Sequence, residues 1–112
     1  MRTRLLIKLL ATAVLCAGAT GTLAADAAAG RAKTSMCAGC HGIEGYRWAY
    51  PEVYHVPKLG GQHAGYLIKA LQGYKNGSRN HPTMRAIAAS LTDADIADLA
   101  AYYASVKPGD NK

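Results

Sequence analysis

The spacing of apolar residues predicts three helices that are separated by long loops. A helix over residues 62–75 would present one apolar face, because its larger side chains recur at i, i+3, i+4 and i+7, namely Leu67, Ala70, Leu71 and Tyr74. A helix that begins at residue 92 and ends before Pro108 would bury a second stripe, which consists of Ile96, Leu99, Ala100 and Tyr103.

Residues that start and stop helices mark the ends of these segments. Thr92 and Asp95 have the spacing of a capping box, in which each side chain bonds the backbone of the other. Gly77 follows Asn76 and is a common helix stop. Asp26 would cap an alanine-rich first helix over residues 26–37.

The intervening segments lack any strand-like alternation of useful length, so we expect an all-α chain. Residues 42–61 and 77–90 are predicted loops, and loops of this length in a small domain are often organised around a ligand. The first loop carries four aromatic residues: Tyr46, Trp48, Tyr50 and Tyr54. They would either cover the edge of a bound group or form a patch for partner docking.

The first 24 residues have the features of a secretory signal peptide. Three basic residues precede a short apolar stretch, and small residues at 22–24 suit cleavage. The stretch is shorter than the roughly 20 residues that span a bilayer, which disfavours a retained anchor. We therefore expect export to a bacterial periplasm, removal of Cys16 with the signal, and a single domain over residues 25–112 without stable membrane insertion.

Charge and composition narrow the class of protein. The full chain has a formal net charge of +6. Loss of Arg2, Arg4 and Lys8 leaves ten basic and seven acidic residues, so the mature charge is +3. No basic cluster with interleaved aromatics supports nucleic-acid binding. A domain this small, without phenylalanine, builds only a marginal core, and a bulky apolar cofactor would complete it.

The segment Cys37-Ala38-Gly39-Cys40-His41 reads C-x-x-C-H, the pattern for covalent attachment of haem c. Two cysteines so spaced would form thioethers to one porphyrin, and the adjacent histidine would ligate the iron. A thioredoxin-like pair would need a preceding strand, and a structural zinc site would need four ligands. A disulfide is compatible with an oxidising compartment but gives His41 no role.

The second axial ligand of the iron has several candidates in the mature chain: Met36, Met84, His55, His63 and His81. Met36 adjoins Cys37 and is expected to pack near the attachment site. Met84 follows His41 by 43 residues in a predicted loop long enough to wrap around the ring. We favour Met84, because a thioether stabilises ferrous iron and suits an electron carrier. His81 is the competitor and would give bis-histidine ligation.

The ordered segments of the mature chain resemble the class I c-type cytochromes, and within them bacterial monohaem carriers of the cytochrome c553 and c4-like group. The resemblance covers nearly the whole mature chain. It rests on the segments C-A-G-C-H-G at 37–42, P-K-L-G-G-Q at 57–62, Y-L at 66–67, Y-K-N-G-S-R at 74–79, M at 84, and L-T-D-A-D-I-A-D-L-A-A-Y-Y-A-S at 91–105.

This resemblance implies a role for five residues. Cys37 and Cys40 would carry the thioethers of one haem c, His41 would be the proximal ligand and Met84 the distal one. The carbonyl of Pro57 would accept a hydrogen bond from the proximal imidazole, which fixes the ring and tunes its basicity. The implied fold packs the terminal helices across each other near the haem, with three main helices and long loops around it.

These observations predict an electron carrier that is not an enzyme. Its partners would be a donor and an acceptor redox protein that dock transiently on a monomer or weak dimer. Lys58 and Lys75 are candidates for steering an acidic partner. There are two alternatives. One is a sensor or enzyme that binds a small ligand at an open or labile second axial position of the iron, and the other is the electron-entry subunit of a larger oxidoreductase.

Overall fold

The computed structural model of the chain describes residues 24–49 and 53–110, so nearly all of the predicted signal peptide, and Tyr50, lie outside the described residues. The elements within these ranges are the helices α1 (Ala27–Ala32), α2 (Ser35–His41), α3 (Ala64–Asn76), α4 (Pro82–Ala89) and α5 (Asp93–Ser105), and the strands β1 (Arg47–Trp48) and β2 (Tyr54–His55).

Two of the three predicted helices are present close to their expected limits. Helix α3 ends at Gly77, whose φ of 87° is the left-handed conformation that glycine adopts at low cost. Helix α5 begins with the predicted capping box, in which Thr92 and Asp95 bond each other's backbone N–H groups. All four residues of its predicted apolar stripe are buried.

The prediction of one continuous first helix was wrong, because the chain turns at Lys33 and Thr34 and forms two short helices instead. The Thr34 hydroxyl donates to the carbonyl of Arg31 at 2.8 Å, which competes with continued helix bonding. Asp26 caps α1 as expected, accepting from the amides of Ala28 and Ala29. Helix α2 then carries the chain through the C-x-x-C-H motif to His41.

The prediction of an unbroken loop over residues 77–90 was also wrong, since most of it forms helix α4. Pro82 occupies the first turn, where its missing N–H costs nothing. Met84, Ile87, Ala88 and Leu91 follow at i, i+3, i+4 and i+7, a helical signal that sequence reasoning overlooked. Met84 therefore lies on a helix instead of in the predicted loop.

The aromatic loop contains a short antiparallel hairpin within an otherwise helical fold. Trp48 pairs with Tyr54 and Arg47 with His55. Each strand has only two residues, which is too short for an alternating pattern to be read from sequence.

The core forms around α5, which packs against α1 and α3, while α3 also packs against α4. Ile96 and Leu99 are its largest fully buried side chains. Helices α1 and α5 are in close contact at Gly30 of α1. A Cβ there would overlap the carbonyl oxygen of Asp98 and lie 2.9 Å from the Cβ of Tyr102. Only glycine allows the two helix backbones to come this near.

An ion-pair cluster ties the junction of α1 and α2 to α5. The Lys33 ammonium lies 2.7 Å from an Asp95 carboxylate oxygen and 2.8 Å from one of Asp98. The amide of Asp26 donates to the other Asp98 oxygen at 2.8 Å. Lys33 holds the pKa of the Asp95 carboxyl well below its ordinary value, and the Asp26 amide and Lys33 together lower that of Asp98.

The segment after the hairpin is held by the end of α5. The amide of Gly61 donates to the carbonyl of Tyr103 at 2.9 Å. A Cβ at Gly60 would lie 2.7 Å from the Lys107 carbonyl oxygen, and Gly61 has a φ of 79°. This close contact fixes the chain that carries Pro57. Among the described helices, none is long and apolar enough to cross a membrane.

Replacement of Gly30 by alanine should destabilise the folded protein by about 1–3 kcal/mol, because the added methyl forces α1 away from α5. Equilibrium unfolding of the haem-loaded protein in guanidinium chloride measures the change. Gly65→Ala is the matched control, since a Cβ there meets nothing within 4 Å. It should be neutral or stabilising by up to about 1 kcal/mol. Equal stability of the two variants would contradict the close packing at Gly30.

Replacement of Lys33 by methionine should lower the melting temperature at pH 7, and the difference from wild type should narrow as the pH falls below about 4. The reason is that both aspartate pKa values are lowered in the folded state. Their contribution is therefore present above the ordinary aspartate pKa and is lost as the pH falls toward the folded-state values. Thermal unfolding followed by circular dichroism at a series of pH values tests this. Lys69→Met, at an exposed lysine without an ion pair among the described residues, should show no such dependence.

Candidate functional site

A cavity of about 390 Å³ lies beside α5 and collects side chains from four helices and the hairpin. The predicted apolar face of α3 lines it, through Leu67, Ala70, Leu71 and Tyr74. Leu99, Ala100 and Tyr103 of α5 also line it, as do Met84, Ile87 and Leu91 from α4 and the turn that follows. The predicted stripes on α3 and α5 therefore face a shared space.

Helix α2 places three reactive side chains on one side of this cavity. Cys37, Cys40 and His41 stand at i, i+3 and i+4, which is one face of a helix, and all three line the cavity. Both cysteines are half-buried free thiols, and His41 is only 9% exposed. Burial raises the pKa of the Cys37 thiol, against a smaller opposing effect of Tyr103.

The Tyr103 side chain lies deep in the cavity wall and is 2% exposed. Burial, and then the neighbouring Cys37, raise the pKa of its hydroxyl. That hydroxyl has no hydrogen-bond partner within the described part of the chain. The backbone carbonyl of the same residue accepts from Gly61, so Tyr103 contributes to the site through both its ring and its main chain.

The imidazole of His41 is oriented by the backbone of Pro57. Its Nδ1 lies 2.7 Å from the Pro57 carbonyl oxygen. Because a carbonyl can only accept, this contact requires the proton on Nδ1, which leaves a lone pair on Nε2. A neutral imidazole in this tautomer is prepared to ligate a metal through Nε2.

Met84 and His81 lie side by side at the start of α4, and both line the cavity. The amide of Met84 donates to His81 Nδ1 at 3.3 Å, so His81 caps the helix. A neutral imidazole that accepts at Nδ1 carries its proton on Nε2 and offers no lone pair there. The His81 ring also packs at 5.4 Å from Tyr54 and 6.4 Å from Tyr74. Sequence reasoning missed this capping role, although His81 directly precedes Pro82.

The remaining candidate ligands are placed differently. Met36 and His55 are exposed and line the cavity, whereas His63 is the N-terminal cap residue of α3 and does not line it. Lys58 and Lys75 each pair with a carboxylate, Glu44 at 3.6 Å and Asp93 at 3.1 Å respectively. Among the described residues no group of three or more His, Cys, Asp and Glu side chains could hold a metal ion.

The aromatic residues of the hairpin lie beside the cavity with part of their surface exposed. Trp48 is 37% and Tyr54 46% exposed, and both line the cavity. Tyr46 is half-buried and does not line the cavity. Trp48 and Tyr54, which pair across the hairpin, thus lie at the cavity wall. Their partial exposure would allow them either to cover a bound group or to contact a partner protein.

The chemistry of this donor set fits a haem. An imidazole with a free Nε2, a thioether from another helix and two thiols on adjacent turns meet in one apolar space. A bare metal ion would instead need several ligands in a compact polar cluster. The buried Tyr103 ring and the α3 face supply the apolar contacts that a porphyrin requires.

The chain matches the family model described as "Cytochrome c" over residues 27–107. It is 43% identical over 102 residues to cytochrome c4 of Pseudomonas aeruginosa, an alignment that covers 89% of this chain and 49% of that protein. It is 45% identical over 85 residues to cytochrome c-554(548) of Halomonas halodenitrificans, covering 73% of this chain and 98% of that protein. A protein named thiosulfate dehydrogenase electron acceptor, from Stutzerimonas stutzeri, is 38% identical over 65 residues, covering 58% of this chain and 29% of its own length.

The chain spans about half the length of the cytochromes c4 that it matches. The family match covers α1 to α5 and includes the C-x-x-C-H motif, so it extends over the whole described fold. The relative from Halomonas has nearly the same length as the aligned region and supports the same assignment. The chain therefore belongs to the cytochrome c family and carries a covalently attached haem c.

Proposed function

We propose that this chain is a periplasmic electron carrier with one haem, in which His41 and Met84 are the axial ligands. The observation that carries the proposal is the hydrogen bonding of two of the cavity histidines, His41 and His81. His41 has its Nδ1 bonded to Pro57 and its Nε2 free, whereas His81 uses Nδ1 as an acceptor toward Met84. Of these two, only His41 is therefore prepared to coordinate through Nε2.

Cys37 and Cys40 would hold the haem by thioether bonds. Both lie on the helix that ends at His41 and neither is in a disulfide, so attachment would place the ring beside the proximal imidazole. Burial, which raises the pKa of Cys37, is no obstacle to a thioether because the bonded sulfur carries no charge.

Met84 is the remaining cavity group that offers a lone pair to iron from another helix. It is half-buried on α4, and its amide is fixed by the His81 cap. The rigid start of α4, with Pro82 in its first turn, limits the positions that the Met84 side chain can reach. A thioether ligand favours the ferrous state and raises the potential.

The bound haem supplies one-electron chemistry through ferrous and ferric iron. The chain's own residues set the conditions for it. The apolar faces of α3 and α5 exclude water from the cavity, and the Pro57 carbonyl holds the His41 ring in a single orientation. Trp48, Tyr54 and Tyr66 are exposed at the cavity wall and suit brief contact with redox partners.

The cellular setting is part of this proposal. The signal-peptide pattern of residues 1–24 supports export, and the domain would then be residues 25–112. Transient docking of a donor and an acceptor redox protein would not require a stable complex. The proposed carrier transforms no substrate itself.

A second candidate is an electron-accepting subunit that stays bound to one dehydrogenase. The name of the relative from Stutzerimonas stutzeri supports it, although that alignment covers a smaller part of this chain. Co-purification of a second chain in a fixed ratio would favour this subunit over the free carrier.

Replacement of Met84 by alanine should abolish the weak band at the red edge of the ferric spectrum and lower the reduction potential by at least about 0.1 V, within the roughly 0.8 V that axial ligands control. Optical spectra and a redox titration of the haem-loaded variant measure both. Met36→Ala is the matched control, because Met36 also lines the cavity, and it should keep the band and the potential. A Met84→Ala protein with an unchanged spectrum and potential would eliminate Met84 as a ligand.

Replacement of His81 by asparagine should leave the red-edge band and the potential close to wild type, because asparagine can accept from the Met84 amide and keep the cap. His81→Ala should lower the free energy of unfolding by about 1 kcal/mol through loss of that cap. Spectra and denaturant titration of the two variants separate capping from ligation. If both variants lost the six-coordinate spectrum equally, His81 would be the ligand and the proposed assignment would fail.

A further inference from the structure

A tight turn over residues 107–110 follows α5, and we name it the post-α5 turn. The amide of Asp110 donates to the carbonyl of Lys107 at 3.0 Å, which closes the turn. Gly109 has a φ of 86°, the left-handed conformation that is costly for a residue with a side chain. The shape of the post-α5 turn therefore depends on glycine at position 109.

The post-α5 turn packs on the backbone of Gly60 and Gly61 with no side chain between them. A Cβ at Gly60 would overlap the carbonyl oxygen of Asp110. A Cβ at Gly61 would lie 2.8 Å from the Cγ of Pro108. The amide of Gly109 also donates to the Gly60 carbonyl at 3.4 Å. Two consecutive glycines thus allow the turn to lie directly against a segment that is distant in the sequence.

This segment begins with Pro57, three residues before the first of the two glycines, and the Pro57 carbonyl accepts from His41. Pro57 has no amide hydrogen, so it cannot fix its own position by donating a backbone hydrogen bond. The next residue, Lys58, also lies beside the turn, because a Cβ at Gly109 would be 3.9 Å from the Lys58 Nζ. Both α5 and the post-α5 turn therefore contact the short segment that carries the Pro57 carbonyl.

We propose that the post-α5 turn positions the Pro57 carbonyl toward the His41 imidazole and thereby sets the strength of the proximal ligand. The hydrogen bond of 2.7 Å fixes the ring and raises its basicity. If the Pro57 segment loosened, this bond would weaken, and a less basic imidazole would stabilise ferric iron less, so the potential would rise. Pro108 and Gly109 act here as positioning residues, since neither lines the cavity. The inference rests on the ligation by His41 proposed above.

The test measures, by NMR, how fast the ring N–H proton of His41 exchanges with deuterium oxide in the reduced, haem-loaded protein. Gly109→Ala strains the turn, and we expect this exchange to accelerate by about fivefold or more, which corresponds to loss of one ordinary hydrogen bond. The reduction potential should rise while the red-edge band is retained, because Met84 is unchanged. Pro108→Ala removes the ring that packs on Gly61 and should act in the same direction.

Gly77→Ala is the matched control, because Gly77 has a φ of 87° and its replacement introduces the same left-handed strain at the end of α3. It should lower the free energy of unfolding to a similar extent as Gly109→Ala but leave the exchange of the His41 ring proton as in wild type. Equal acceleration in the two variants would show that this proton exchanges only through global unfolding, and it would overturn the positioning role.

An exchange rate in Gly109→Ala equal to that of wild type would also overturn the inference. If Gly109→Ala fails to accumulate with haem, a wild-type exchange rate in Pro108→Ala would overturn it instead. The red-edge band separates this inference from the proposed function. Its presence together with unaltered exchange in Gly109→Ala refutes the role of the turn alone, whereas its absence from the wild type refutes the proposed ligation.

Discussion

The contact of α1 with α5 at Gly30 is the constraint on which the other elements depend. The backbones are so close there that any side chain would separate them, and the cluster of Lys33, Asp95 and Asp98 fastens the same junction. Because α2 follows α1 after a two-residue turn, this crossing decides where the C-x-x-C-H motif lies relative to α5. Tyr103 and Leu99 then meet the cysteines and histidine across one cavity.

The cavity is largely apolar because this small chain has few large side chains left to form a separate core. Few large side chains are fully buried in the described residues, Ile96 and Leu99 being the largest, and most of the larger apolar side chains of α3 and α4 line the cavity. In such a domain the cofactor site and the hydrophobic core are one region. Substitutions that would be ordinary core changes elsewhere therefore act directly on the environment of the iron.

The periodicity of apolar residues predicted the helices that have long apolar faces. It missed the features that depend on particular contacts in the folded chain. The stripes on α3 and α5 and the capping box at Thr92 are local patterns of residue type, which is why they could be read directly. The break at Thr34 arises from the hydrogen bond of its hydroxyl to the Arg31 carbonyl and from the ion pair of Lys33 with Asp98 of α5. Neither contact can be read from the spacing of apolar residues. Likewise the C-x-x-C-H motif predicts haem-binding roles for His41 and its cysteines, whereas the hydrogen bonds that give His41 and His81 different tautomers depend on backbone positions that only the folded chain defines.

The hydrogen bond between His41 and Pro57 has a consequence for the order in which the protein matures. The bond joins residues only 16 apart, yet the Pro57 segment is positioned by the carbonyl of Tyr103 in α5, more than 40 residues further along the chain. The C-x-x-C-H motif alone therefore holds the proposed attachment points but not the group that orients the imidazole. Under the proposed ligation, attachment of the haem would involve residues of α2 only, whereas the orientation of the His41 ring also depends on contacts with α5. The proposed iron site would then be complete only after contacts between distant parts of the sequence have formed, which is the slow class of contact in folding.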